Sequence, residues 1–254
     1  MSIKSVFFSL LLLIAVNVNA QSVFVLVHGA WHGGWCWQKV STKLRAAGNV
    51  VYTPTLSGLG EHKNTLNKDV DLNTHITDIV NLIEMEDLHN VVLVGHSYAG
   101  AVIAGVADRI PERLSKLIFL DALLMENGQS TISVQPKEMG ERVAKSAEQD
   151  HGLSIPAWSP ETFGVTDPKD IKWTKERLTA QPYRAFTQPL VLKYPYGNNI
   201  PMSYIACLKP QMPVLKVFAD KAKNSKDWKY YMLNTGHDAM ITMPDELTTL
   251  LESI

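Results

Sequence analysis

Ser97 stands in the run Val91-Val92-Leu93-Val94-Gly95-His96-Ser97-Tyr98-Ala99-Gly100-Ala101, where four apolar residues meet a glycine, a serine and then small residues opening an alanine-rich stretch. This is the pattern of a buried strand passing through a tight turn into a helix, with the serine at the apex and its hydroxyl above the sheet edge. The spacing is that of the nucleophile elbow G-x-S-x-G, with Ala99 in the last position and Gly100 one place late. Gly95 and Ala99 are small, as they must be, because a larger side chain at either would collide with the neighbouring strand and helix. A serine hydroxyl at its ordinary pKa is a weak nucleophile. It needs a base to take its proton during attack, and that base needs a carboxylate to hold its tautomer and stabilise the imidazolium.

In this arrangement the order along the chain is serine, acid, histidine. Two histidines follow Ser97: His151 in a proline-rich segment, and His237 in Gly236-His237-Asp238, directly after a late apolar run. His237 is the expected base. The acid usually follows the next-to-last strand, but that loop here, Cys207-Leu208-Lys209-Pro210-Gln211, contains no carboxylate. Asp121 closes the run Leu117-Ile118-Phe119-Leu120, the strand directly after that of the serine, and so should emerge at the same sheet edge. Asp121 is the expected acid, with Glu126 as the alternative and a helix or turn cap as the non-catalytic reading of Asp121. Asp220 and Asp227 flank a helix and should face the other end of the sheet, and Asp238 should point away from its neighbour His237. The oxyanion needs donors. These are expected to be the backbone N–H of Tyr98 and that of Ala30, where Gly29 lets the chain turn. His28 and His32 have no further histidine or carboxylate at ligand spacing, so a metal pair is not expected.

The elements that must carry these groups follow from hydrophobic period. Apolar runs at 23–27, 50–53, 91–94, 117–120, 202–206 and 228–233 read as strands. Between them lie helical patterns, such as Val40 and Leu44 ahead of Gly48, or Leu72, Ile76, Ile79, Val80 and Ile83 behind Asp71. Strands apolar on both faces and alternating with helices imply an α/β fold, a mostly parallel sheet of about six strands covered on both sides. Ligands bind such sheets outside the carboxyl ends of the strands. Residues 125–193 interrupt the alternation without strands of their own, hold six prolines and one helical piece at 168–180, and read as an inserted cap. The core is then 21–124 with 194–254. Trp158, Phe163, Trp173, Leu178, Tyr183 and Phe186 either line a substrate pocket or form a satellite core.

The chain has 254 residues, 46% hydrophobic and 19% charged, with a formal net charge of -1. That suits one domain and gives no reason to expect nucleic acid or an anionic membrane as partner. Residues 1–20 read as a signal peptide: Lys4, an apolar run over 6–16, and Val18-Asn19-Ala20 before the cleavage point. The run is short for a membrane span, an uncleaved anchor being the other reading. The mature protein, periplasmic or secreted, should begin at Gln21. An oxidising compartment permits a disulfide between Cys36 and Cys207, and two buried thiols are the alternative.

The segment Phe24-Val25-Leu26-Val27-His28-Gly29-Ala30-Trp31-His32-Gly33-Gly34-Trp35-Cys36-Trp37, with Gly95-His96-Ser97-Tyr98-Ala99-Gly100 and Gly236-His237-Asp238-Ala239-Met240, resembles the α/β-hydrolase branch of plant methylesterases, hydroxynitrile lyases and bacterial carboxylesterases. The resemblance implies an α/β-hydrolase fold with Ser97 as nucleophile, His237 as base and the Ala30 and Tyr98 amides as oxyanion hole. Three departures matter. The plant members carry their acid after the next-to-last strand, whereas some dehalogenases use the strand that Asp121 closes. Cyanohydrin-cleaving members have threonine at the place of Gly29 and lysine at that of Asp238, and that cation stabilises departing cyanide. Ala99 replaces a glycine. The expectation is an exported serine carboxylesterase of small methyl, aryl or lactone-type esters, with no metal or cofactor. The alternatives are a hydroxynitrile lyase-like C–C lyase or a ligand receptor. Its partner is a small ester, without nucleic acid or stable membrane insertion, and a homodimer is compatible with the sequence.

Overall fold

Six apolar strands hydrogen-bond into one sheet, parallel at every junction, in the order β2-β1-β3-β4-β7-β8. The structure is a computed structural model, and it describes residues 21–254, so the expected signal segment lies outside the described residues. In chain order the elements are β1 (Val23–Val27), α1 (Gln38–Ala46), β2 (Val50–Tyr52), α2 (Leu72–Met85), β3 (Val91–His96), α3 (Ala99–Arg109), β4 (Leu114–Leu120), α4 (Lys137–Glu148), β5 (Ser154–Ile155), α5 (Pro168–Lys175), β6 (Gln181–Pro182), α6 (Tyr183–Thr187), β7 (Met202–Cys207), α7 (Pro213–Lys223), β8 (Trp228–Leu233), α8 (Ala239–Thr242) and α9 (Pro244–Ser253).

Side chains alternate across each strand, and the core divides accordingly. Val25, Val27, Leu93, Phe119 and Tyr204 pack with α2, α3 and α7 on one face. Phe24, Leu26, Val94, Ile118 and Ile205 pack with α1 and α9 on the other. Local signals mark the helix ends. Asp71 Oδ1 accepts the Thr74 N–H at 2.8 Å and the Thr74 hydroxyl oxygen accepts the Asp71 N–H at 3.3 Å, a capping box at the start of α2. Gly48, at φ +94°, lets the chain leave α1. From β1 the chain first builds β2 outward, then returns to place β3 on the other side of β1. The loops after β1 and β3 therefore part over the carboxyl ends of the strands, where such a sheet opens a crevice.

The expected strands are all present, with β3 extended to His96 and β4 begun at Leu114. Two expectations are corrected. The stretch 125–193 is not free of strands, because β5 and β6 pair antiparallel, Ile155 with Gln181; each has only two residues, too few to show a period. The helical piece expected over 168–180 stops at Lys175, and four residues later Thr179 N–H donates to the Trp31 carbonyl at 3.0 Å, drawing the chain across to β6. One further contact ties this stretch to the last loop. Gly164, at φ +81°, lies so close to Gly236 that a Cβ on it would stand 2.7 Å from the Gly236 Cα.

Candidate active site

Ser97 sits between β3 and α3 with φ +57°, in the left-handed region that a non-glycine residue adopts only when its surroundings enforce it. They do so through the backbone. Ser97 N–H donates to the Leu120 carbonyl at 3.1 Å, and the Ser97 carbonyl accepts from Leu123 N–H at 3.0 Å and Gly100 N–H at 3.1 Å. The elbow is thus sewn to the end of β4. A Cβ at Gly95 would stand 2.8 Å from the Ala99 carbonyl oxygen, and one at Gly100 would run into the Leu123 carbonyl. The glycine one place late is the position that the packing of α3 against the chain after β4 requires, and Ala99 fits fully buried.

Asp121 and His237 meet. His237 Nδ1 lies 2.7 Å from Asp121 Oδ2, the carboxylate fully buried and the imidazole 3% exposed. The other carboxylate oxygen accepts Cys207 N–H at 3.2 Å, and Asp121 N–H donates to the Ile205 carbonyl at 2.7 Å. Asp121 therefore reaches across from β4 to the end of β7. Glu126 is far from this contact in function, exposed and paired with Lys221 at 2.7 Å. Asp220 pairs with Lys216 on the outer side of α7.

The loop after β1 is held peptide by peptide. His28 Nδ1–H donates to the Gly29 carbonyl at 2.8 Å while His28 Nε2 accepts Leu56 N–H at 3.1 Å. Accepting that bond requires a neutral ring, and burial pushes the His28 pKa down to about 3. Trp31, at φ +65°, donates its N–H to Gln181 Oε1 at 3.0 Å and its indole N–H to the Ile155 carbonyl at 3.2 Å. Among the described residues, neither the Ala30 nor the Tyr98 amide N–H has a protein acceptor. The Tyr98 hydroxyl donates to His75 Nδ1 at 2.9 Å, and His75 Nε2–H donates to the Ser57 carbonyl at 3.0 Å. Burial lowers the His75 pKa, which suits that neutral tautomer.

Ser97, His237, Ala30 and Tyr98 line one cavity of about 200 Å³. Its other walls are mostly apolar, including Trp31, Trp158, Phe163, Phe186, Met139 and Met212, and among the described residues no carboxylate, lysine or arginine lines it. Of the aromatic residues singled out in 125–193, Trp158, Phe163 and Phe186 line it. Trp173 packs instead on Trp35, ring centroids 5.0 Å apart.

Behind His237 lies a buried group that the sequence did not reveal. His32 Nε2 is 3.1 Å from Asp238 Oδ2, and His32 Nδ1 is 2.8 Å from the Ala30 carbonyl. His96 Nε2–H donates to the His237 carbonyl at 3.0 Å and lies 3.8 Å from Asp238 Oδ1. Burial, reinforced by the neighbouring His237, holds the His96 pKa well below the usual histidine range. The only signals of this group in the sequence are His32 in the glycine-rich loop and an anion next to His237. His96, His237 and Asp238 offer potential metal-ligating atoms within 4.8 Å of one another. Their bonds to the His237 carbonyl, Asp121 and His32 respectively already account for that clustering. Cys36 and Cys207 are buried free thiols, both with pKa values raised by burial.

Residues 24–250 match the model of the Alpha/beta hydrolase family. The chain is 36% identical over 240 residues to the carbendazim hydrolyzing esterase of Nocardioides sp. (strain SG-4G), covering 91% of this chain and 98% of that one. It is 28% identical to methylesterase 10 of Arabidopsis thaliana, over 91% of this chain and 90% of the relative. Among solved structures, it resembles an extracellular alpha/beta-hydrolase from a Paenibacillus species, described as sharing structural and functional homology with tobacco Salicylic Acid Binding Protein 2. The TM-score is 0.82 with 25% identity, over 91% of this chain and 98% of that one.

Proposed function

This chain belongs to the alpha/beta hydrolase family, and from that premise we propose that it is an exported serine carboxylesterase that cleaves small, uncharged methyl, aryl or lactone-type esters through an acyl-enzyme. The reading is carried by the 2.7 Å contact of His237 with the buried Asp121, at the wall of the cavity that Ser97 shares with two unpaired amides. The names of its relatives support ester hydrolysis, and the cavity's lack of charged side chains favours neutral substrates.

In this mechanism His237 Nε2 takes the Ser97 hydroxyl proton as Oγ attacks the ester carbonyl. Asp121 keeps the other ring proton on Nδ1 and balances the imidazolium that forms. The Ala30 and Tyr98 amides receive the oxyanion. Collapse expels the alcohol with the proton from His237, leaving Ser97 acylated. Water activated by the same histidine then releases the acid. The stretch 125–193 serves as the cap whose aromatic residues cover the acyl or alcohol group, and residues 1–20 direct export. Incubation with an alkyl phosphonate ester followed by mass spectrometry should find one adduct, on Ser97, and Ser97→Ala should lower turnover of p-nitrophenyl acetate about 10⁴-fold or more with the fold intact. A folded Ser97→Ala enzyme of near-normal activity would refute the mechanism. N-terminal sequencing of the exported protein should begin at Gln21.

A further inference from the structure

His32 has no part in the steps above, yet it touches both halves of the machinery. Its Nδ1 faces the Ala30 carbonyl oxygen at 2.8 Å and its Nε2 faces Asp238 Oδ2 at 3.1 Å. A peptide oxygen and a carboxylate only accept hydrogen bonds. A neutral imidazole has one N–H and one lone pair, so at one end or the other it would set a lone pair against an oxygen. We propose that Asp238 keeps His32 doubly protonated, and that this buried pair is a positioning device that clamps the oxyanion-hole loop to the loop carrying the base. The proposal rests on the acyl-transfer reading of the site.

The clamp acts on one peptide. The Ala30–Trp31 unit is held at its oxygen by His32 and at its nitrogen by Gln181, which fixes the peptide directly after the N–H of Ala30, a residue that lines the cavity. At the other end Asp238 directly follows His237, and its own N–H donates to the Phe163 carbonyl at 3.1 Å. The surroundings leave the two partners to balance each other. From β3, His96 presents a neutral ring whose one proton is committed to the His237 carbonyl. From the end of β1, His28 is neutral as well. Cys36, beside the loop, and Cys207, at the end of β7, are thiols that burial keeps protonated. Asp121 is engaged by His237, and the faces of His32 are covered by Trp35, stacked at 5.3 Å, and Phe163, edge-on at 5.4 Å. Among the described residues Asp238 Oδ1 has no hydrogen-bond partner, so the carboxylate depends on His32 for its compensation. Burial alone would lower the His32 pKa; the Asp238 charge and hydrogen bond outweigh it and raise it.

The first test needs no variant. Nitrogen-15 NMR of the whole protein at neutral pH should show both ring nitrogens of His32 protonated, against one each for His28 and His96. A singly protonated His32 overturns the proposal whatever the enzyme's activity, whereas an active Ser97→Ala enzyme would overturn only the acyl-transfer reading. The second test is Asp238→Asn. It should lower kcat about 10- to 100-fold with KM for a neutral ester changed by no more than about twofold, because an oxyanion donor acts chiefly in the transition state. The alkaline limb of its kcat profile should also move to lower pH, since His32 loses the charge that held its second proton. A folded Asp238→Asn enzyme with unchanged kcat and an unchanged alkaline limb refutes the clamp. If that variant does not fold, the NMR measurement decides alone.

Discussion

At the scale of single residues the decisive pair is Asp121 and His237. Asp121→Asn keeps the shape of the side chain but offers an amide that can donate to His237 Nδ1 and stabilise the wrong tautomer. Turnover of p-nitrophenyl acetate should fall about 10²- to 10⁴-fold. Glu126→Gln should leave it unchanged, since Glu126 spends its charge on Lys221 at the surface; the opposite ranking would place the acid elsewhere. Asp121 and His237 could be read from the sequence as partners because each ends an apolar run, and parallel strands deliver their carboxyl ends to one edge. The His32–Asp238–His96 group was not legible, as it joins three loop ends far apart in the chain and loops carry no period. Asp238 was expected to point away from His237; its carboxylate lies against His32, with an oxygen within 4.8 Å of a His237 ring nitrogen. Gly29 also gains a reason, because a Cβ there would stand 2.9 Å from the Ser97 Cβ. The threonine of cyanohydrin-cleaving relatives has no room in this elbow.

At the scale of elements, the elbow depends on α3 lying close to the chain that leaves β4. Gly100→Ala places a methyl against the Leu123 carbonyl, a backbone atom that cannot step aside as a side chain end could. Overpacking of this kind costs on the order of 1–3 kcal/mol, which for a chain of this size lowers the melting temperature by about 2–12 °C. Ala99→Gly, in the position where the motif ordinarily has glycine, should cost no more than about 1 kcal/mol through helix propensity. Thermal melts of the two variants compare them directly, and an equal or larger loss at Ala99 would contradict the packing argument. Strands and long helices were legible because their period repeats several times. The pair β5–β6 was hidden because two residues make no period, and α5 ended early because Thr179 and Gln181 are claimed by Trp31, a tertiary bond that no local pattern announces.

For the whole molecule, the buried histidines set the response to acid. His28, His75 and His96 all have pKa values lowered by burial, His28 to about 3. In the unfolded chain each titrates near about 6.5. Between those limits the unfolded state binds more protons than the folded one, so stability is full above about pH 6.5 and declines as the pH falls. The slope approaches about 1.4 kcal/mol per pH unit for each such histidine. His32 works in the other direction: its raised pKa contributes stability below about pH 6.5 that is lost as the pH rises through the folded value. Below about pH 6.5 His32 is protonated in both states and adds no slope, so the three lowered histidines act unopposed and the melting temperature should fall steeply from pH 6.5 to 4.5. A flat profile over that range in calorimetry would show that these rings are not buried neutral.

The meeting of Gly164 and Gly236 bears on what can be transplanted into this scaffold. Designers who exchange the 125–193 segment for that of a relative, in order to change which esters are accepted, inherit a junction as well as a pocket. Any donor segment must bring glycine to the place of Gly164, because a side chain there would push on the backbone beside His237. It must also bring a carbonyl to the place of the Phe163 oxygen, which takes the Asp238 N–H. A chimera that meets both conditions keeps its histidine loop in register, and one that lacks the glycine alters catalysis before it alters selectivity.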